Sequence, residues 1–194
     1  MTGSGRAALI VSACAAALAL GGCGGGGSRP APPPPPPPPL SPFDTAEYRA
    51  SNSAVTANAL AAYDAGATGA GVKVAVIDTG INPNLPEFTG RIDPASQDVA
   101  ADRGLVDHDG HGTMVSGVIA ANKDNVYTHG VAYQATILSL NVGDPAGCKP
   151  GQDCFLDEAI DDAIDLARIH GAKIINMSFG DEEGMTADVW PAIQ

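Results

Sequence analysis

Hydrophobic patterning divides the chain into alternating helical and extended segments. From Tyr48 to Ala65 the composition is Ala-rich, and Val55, Leu60 and Tyr63 share one face at helical spacing, so a single helix is expected. Gly66 to Gly71 breaks it. Val72 to Ile77 is a short β-branched run that predicts a buried strand, and it stops at Asp78-Thr79-Gly80. His111 to Ala121 reads as a helix whose small residues (Gly112, Ser116, Gly117, Ala120, Ala121) suit close packing inside a core. Thr136 to Val142 is the next strand. Leu156 to His170 is amphipathic, with Leu156, Ala159, Ile160, Ala163, Ile164 and Ala167 on its apolar face. Asp157, Glu158, Asp161 and Asp162 crowd the end where the helix dipole favours negative charge, and Gly171 stands where a C′ glycine belongs. Lys173 to Ser178 reads as another buried strand. Strands alternating with helices predict an α/β fold with a mainly parallel sheet.

Residues ahead of this pattern read as addressing. Met1 to Arg6 carries one positive charge, and the apolar run Ala7 to Leu20 falls short of the roughly 20 residues that span a bilayer. It fits the apolar centre of a secretory signal. Leu20-Gly21-Gly22-Cys23 resembles the bacterial lipobox, which makes 1–22 a lipoprotein signal and Cys23 the lipidated first residue. Residues 23–42 form a Gly/Pro-rich stalk; the unbroken run Pro32 to Pro39 extends roughly 25 Å as polyproline II at ~3.1 Å per residue. Residues 43–194 are then the globular part.

Charge excludes one class of partner. With 10 Lys+Arg against 22 Asp+Glu the net charge is −12, the opposite of the basic face that nucleic acid requires. Cysteine use agrees with export. Cys148 and Cys154 bracket a short loop and read as a disulfide in an oxidising compartment. A two-Cys metal site would need further ligands nearby, and none is evident, so no metal residue is named.

Three motifs carry the chemistry. Val74-Ala75-Val76-Ile77-Asp78-Thr79-Gly80-Ile81 resembles the aspartate segment of the subtilisin-like serine peptidases. Asp107-His108-Asp109-Gly110-His111-Gly112-Thr113 resembles their histidine segment, and Val115 to Ala120 continues it. Ile174 to Gly180 resembles their substrate-binding strand, and His129-Gly130-Val131-Ala132-Tyr133 matches the segment between. The resemblance runs from about Tyr48 to Gln194 and implies a subtilisin-like three-layer sandwich, incomplete in these 194 residues.

Elementary acid–base chemistry agrees. A hydroxyl nucleophile near neutral pH needs a base, and histidine, with an ordinary pKa of about 6.5, suits that task. The base needs a carboxylate to fix its tautomer and stabilise the imidazolium. The resemblance assigns Asp78 to the carboxylate and His111 to the base. It assigns Ser178, Phe179 and Gly180 to the backbone that pairs with an extended peptide, not to nucleophilic attack. The family nucleophile sits in a G-T-S-M-A-type segment, and no serine here stands in one. The sequence therefore reads as the N-terminal part of a serine endopeptidase, inactive by itself. Its partners would be a protein or peptide substrate and the membrane holding its lipid. No cofactor is needed for the chemistry; the family's structural calcium would draw on acids such as Asp93, Asp98 and Asp102. Tyr133, the lipobox and the Pro stalk together resemble surface-displayed autotransporter subtilases, which predicts a place at the bacterial outer membrane or cell surface.

Two rivals compete. Asp-Thr-Gly also marks aspartic peptidases, but those usually follow the glycine with Ala or Ser where Ile81 stands, and the second triplet is absent. A catalytically inactive, lipid-anchored peptide-binding or decayed subtilase fragment is the other; it gives Asp78 and His111 no chemical reason to occur together.

Overall fold

The computed structural model describes residues 40–147 and 154–180. The leader, Cys23, the stalk through Pro39, Cys148 and the segment after Gly180 lie outside the described residues.

The β-branched run after Gly71 forms β1 (Lys73–Asp78), buried at every position past Lys73. It pairs in parallel with β3 (Thr136–Asn141) on one side and β4 (Ile174–Met177) on the other. A two-residue strand, β2 (Gln97–Asp98), which the sequence pattern does not reveal, adds to the outer edge of β3. The order is β2-β3-β1-β4, all parallel. Parallel neighbours need long crossovers, supplied here by α4 (His111–Ala120) and α5 (Asp157–Ile169).

Successive side chains of β1 point to opposite faces, which makes two cores. Ala75 and Ile77 join Leu138, Leu140 and the α5 stripe Ala159, Ile160, Ala163, Ile164 and Ala167. Val74 and Val76 join Ile137 and, from α4, Val115, Ile119 and Ala120. The result is helix, sheet, helix: the parallel α/β sheet that the alternation predicts, in the three layers that the family resemblance implies. In α5 only Leu156 departs from its expected place. It is the N-cap residue, exposed, and its N–H donates to the Val142 carbonyl at 3.1 Å.

Other expectations are corrected. The stretch from Tyr48 is three short helices rather than one: α1 (Ala46–Ala50), α2 (Asn52–Thr56) and α3 (Leu60–Asp64). Ser51 makes the first break, where its hydroxyl donates to Glu47 O at 2.8 Å and accepts from His129 N–H at 2.7 Å. Asn58, at φ 51°, makes the second. The Ser51 side chain competes with the helical ladder, and Asn58 leaves it through its left-handed backbone. The bends lay Tyr48, Ala54, Ala59 and Tyr63 on Tyr133, while Val55 turns 42% outward. β4 is not the buried strand expected: Ile174 is 53% exposed and Ile175 39%, because β4 is the sheet edge among the described residues. Likewise α4 buries only Gly112, Ser116 and Ala120, while Met114 and Val118 on its other side are exposed. No helix among the described residues is long and apolar enough to cross a membrane.

Candidate active site

Asp78 ends β1 at the carboxyl edge of the sheet, where α/β folds place their ligands. It is 0% exposed. Its Oδ1 accepts the Thr79 N–H at 2.7 Å and meets His111 Nδ1 at 2.8 Å. Its Oδ2 is buried and without a hydrogen-bond partner in the described structure. A buried carboxylate is costly unless paired, and the imidazole is its one ionisable partner among the described residues.

His111 arrives from the first residue of α4. Gly110 makes that approach at φ 95°, a left-handed turn that favours glycine. Gly112 removes the bulk that would block it: a Cβ there would stand 2.3 Å from Gly80 O and 3.1 Å from the Asp78 Cβ. The first turn of α4 therefore lies directly on the turn that follows Asp78.

The electrostatics follow from this contact. The hydrogen bond to Asp78 is the largest influence on His111 and raises its pKa; burial opposes, and the charges of Asp78, Asp109 and Asp107 add to the rise, which prevails. A carboxylate oxygen only accepts, so the network assigns the imidazole proton to Nδ1 and leaves Nε2 with the lone pair. The His111 side chain is 41% exposed, so solutes reach the ring. The pair can therefore take a proton from an incoming hydroxyl at Nε2 while Asp78 balances the resulting charge.

The remaining predicted residues are more dispersed. The register Ile77↔Met177 sets Ser178 at the same carboxyl edge as Asp78, one strand away. Ser178 Oγ accepts from Asn176 Nδ2 at 2.8 Å, and the Phe179 ring stacks on Phe155 with centroids 4.2 Å apart. Gly180 is exposed. No hydrogen bond or ion pair joins residues 178–180 to Asp78 or His111 among the described residues. Cys154 is disulfide-bonded. Of the acids proposed for calcium, Asp93 pairs with Lys73 at 2.7 Å and Asp98 with Arg103 at 2.6 Å, so two of the three are already neutralised by the protein. Among the described residues no cluster of three or more His, Cys, Asp or Glu side chains is placed to hold a metal.

Sequence reasoning missed two supports of this edge. The Arg103 guanidinium donates two bonds to Asp98 and a third, at 2.8 Å, to Gly143 O, tying β2 to the segment after β3. Asp107 accepts from Thr79, Gly110 and Thr113 around the start of α4. A carboxylate before a helix start is a capping signal, but Asp109 lies nearer the N-cap Gly110, so the signal does not single out Asp107.

Comparison with known proteins agrees with this fold. The model of the subtilase family matches residues 69–194. The chain is 36% identical over 110 residues to the cell wall-associated protease of Bacillus subtilis, covering 55% of this chain and 12% of that protein. It is 33% identical over 119 residues to thermitase of Thermoactinomyces vulgaris, covering 61% and 40%. The crystal structure of fervidolysin from Fervidobacterium pennivorans, described as a keratinolytic enzyme related to subtilisin, superposes with a TM-score of 0.56 at 33% identity, over 66% of this chain and 20% of that one. The chain thus spans less than half the length of these relatives. It belongs to the subtilase family of serine peptidases.

Proposed function

We propose that this chain carries the base half of a serine endopeptidase, with the nucleophilic serine supplied by sequence outside these 194 residues. The observation that carries the reading is the 2.8 Å contact between the buried Asp78 carboxylate and Nδ1 of the accessible His111. The serine hydroxyl attacks a peptide carbonyl as its proton moves to His111 Nε2. Asp78 holds the tautomer and stabilises the imidazolium, and the proton then passes to the leaving amine. Ser178, Phe179 and Gly180, at the carboxyl edge beside β1, pair their backbone with an extended substrate. The substrate class is protein or peptide.

The lipobox-like Leu20 to Cys23 and the Pro stalk support an exported enzyme held by lipid at the bacterial outer membrane or cell surface, in the manner of autotransporter subtilases. Cys23→Ser is then expected to release the protein from membranes into the soluble fraction.

A fluorophosphonate probe tests the activity, because it labels only a serine activated by a base. A polypeptide that includes the serine is expected to label, and its His111→Ala variant is expected not to. Equal labelling of the two would refute the peptidase reading and leave peptide binding without turnover.

A further inference from the structure

The carboxylate of Asp107 belongs to neither motif role assigned above, yet it accepts more hydrogen bonds than any other side chain near the pair. Oδ1 accepts from Thr79 Oγ1 at 2.9 Å, Gly110 N at 2.7 Å and Asp109 N at 3.2 Å. Oδ2 accepts from Thr113 N at 2.8 Å and Thr113 Oγ1 at 2.5 Å. Both hydroxyls direct their O–H bonds to Asp107, so the lone pairs of each are free to accept from the opposite side. Thr79 Oγ1 accepts the Gly112 N–H at 2.9 Å, and Thr113 Oγ1 accepts the Asn82 N–H at 3.0 Å.

These bonds join two pieces of backbone that the chain brings from far apart. Thr79 adjoins Asp78, while Gly110 and Gly112 flank His111. The bridges between the turn after β1 and the start of α4 pass through Asp107 or through a hydroxyl that Asp107 orients. A carboxylate offers about four lone-pair sites, so five donors saturate it. Burial favours its protonated form, but the bonds from Thr113, Gly110 and Thr79 outweigh this and hold its carboxyl below the usual carboxylate range. It is thus a fixed anion, occupied on every side, that sets how closely the histidine-bearing helix meets the aspartate-bearing turn.

We propose that Asp107 is a positioning residue for the proposed peptidase reaction, clamping Thr79 to the first turn of α4 so that His111 Nδ1 stays within hydrogen-bond distance of Asp78. The role rests on the reading of Asp78 and His111 as a functional pair. An ordinary helix cap would stabilise α4 without reaching Thr79; the reach across to Thr79 is what separates the two roles.

The test is proton NMR on the 194-residue chain, following the low-field His111 Nδ1 proton and the titration of the His111 ring. Wild type is expected to show the proton, and Asp78→Asn to lose it. Asp107→Asn and Thr79→Val are each expected to lose or broaden the proton and to lower the His111 pKa, while cooperative unfolding remains. Thr79→Val keeps the Asp107 charge and the Asp107 bonds to Gly110 and Thr113, and gives up only the Thr79 hydroxyl's bonds to Asp107 and Gly112, so it decides the matter if Asp107→Asn fails to fold. The proton persisting in Thr79→Val overturns the proposal, as does an Asp107→Asn variant whose pKa falls with the proton intact, since that is a charge acting through space. A proton absent from wild type, or unaffected by Asp78→Asn, removes the pair itself, and the proposal falls with it.

Discussion

Gly112→Ala probes the closeness on which the site depends. The added Cβ would stand 2.3 Å from Gly80 O and 3.0 Å from Gly80 N, where ordinary contact begins near 3.4 Å. The clash is with backbone, which has no rotamer to escape into, so helix and turn must separate by about 1 Å. Overpacking of this kind costs about 1–3 kcal/mol. The opposing effect is helix propensity, since alanine is better than glycine inside a helix by ~1 kcal/mol. With the backbone clash at the upper end of that range the clash wins, leaving a net loss of up to about 2 kcal/mol and a fall in Tm of up to several degrees, at ~2–4 °C per kcal/mol. A separation of that size would also carry the Asp78–His111 contact from 2.8 Å to the edge of hydrogen-bond range. The His111 pKa should therefore fall with the Tm, because that bond is its largest raising influence. Circular dichroism melting and NMR titration of His111 measure the two quantities. A variant that melts higher than wild type with an unchanged His111 pKa would refute the reasoning, since glycine would then be only a poor helix former at that position.

Other consequences follow from the same geometry. Because the His111 pKa is raised, hydrolysis by a polypeptide that includes the serine should increase with pH through a midpoint above about 6.5, and Asp78→Asn should move that midpoint down as it lowers the rate. The stabilising effect of the pair has the opposite pH sense: it is fully present below the unfolded histidine pKa and fades as pH rises through the folded value, which Tm against pH will show. Arg103→Ala should lower the urea midpoint near neutral pH. Burial of Asp98 is outweighed by its bonds from Arg103, which hold its pKa below the usual carboxylate range, so the difference from wild type should shrink as pH falls through the folded Asp98 value, leaving the part due to the bond to Gly143 O. Ile164→Ala, on the buried face of α5, should cost about 2–5 kcal/mol in urea denaturation, whereas Val55→Ala should stay within ~0.5 kcal/mol.

What the sequence revealed depended on how local the cause was. The α5 stripe is legible because all its apolar residues meet one sheet face, so helical spacing alone names them. The breaks at Ser51 and Asn58 were not legible, because Ser51 turns to the backbone of His129, seventy-eight positions away. β2 is two residues long and exists only by pairing with β3. The apolar run of β4 predicts burial correctly only if another element covers it, and run length carries no such information. Asp78 and His111 were found because their motifs stand in family order. Asp107 was passed over because its importance lies in what folding brings to it, above all Thr79.

The central claim is that Asp78 and His111 act as one unit in peptide-bond hydrolysis. Its most direct test is a double-mutant comparison of kcat/KM, in a polypeptide that includes the serine, for wild type, Asp78→Ala, His111→Ala and the double variant. Losses of roughly 10⁴-fold or more are expected for each single variant and little further loss in the double, because members of one catalytic unit are not additive. Near-wild-type turnover in either single variant, or a double variant whose loss is the product of the two, would contradict it.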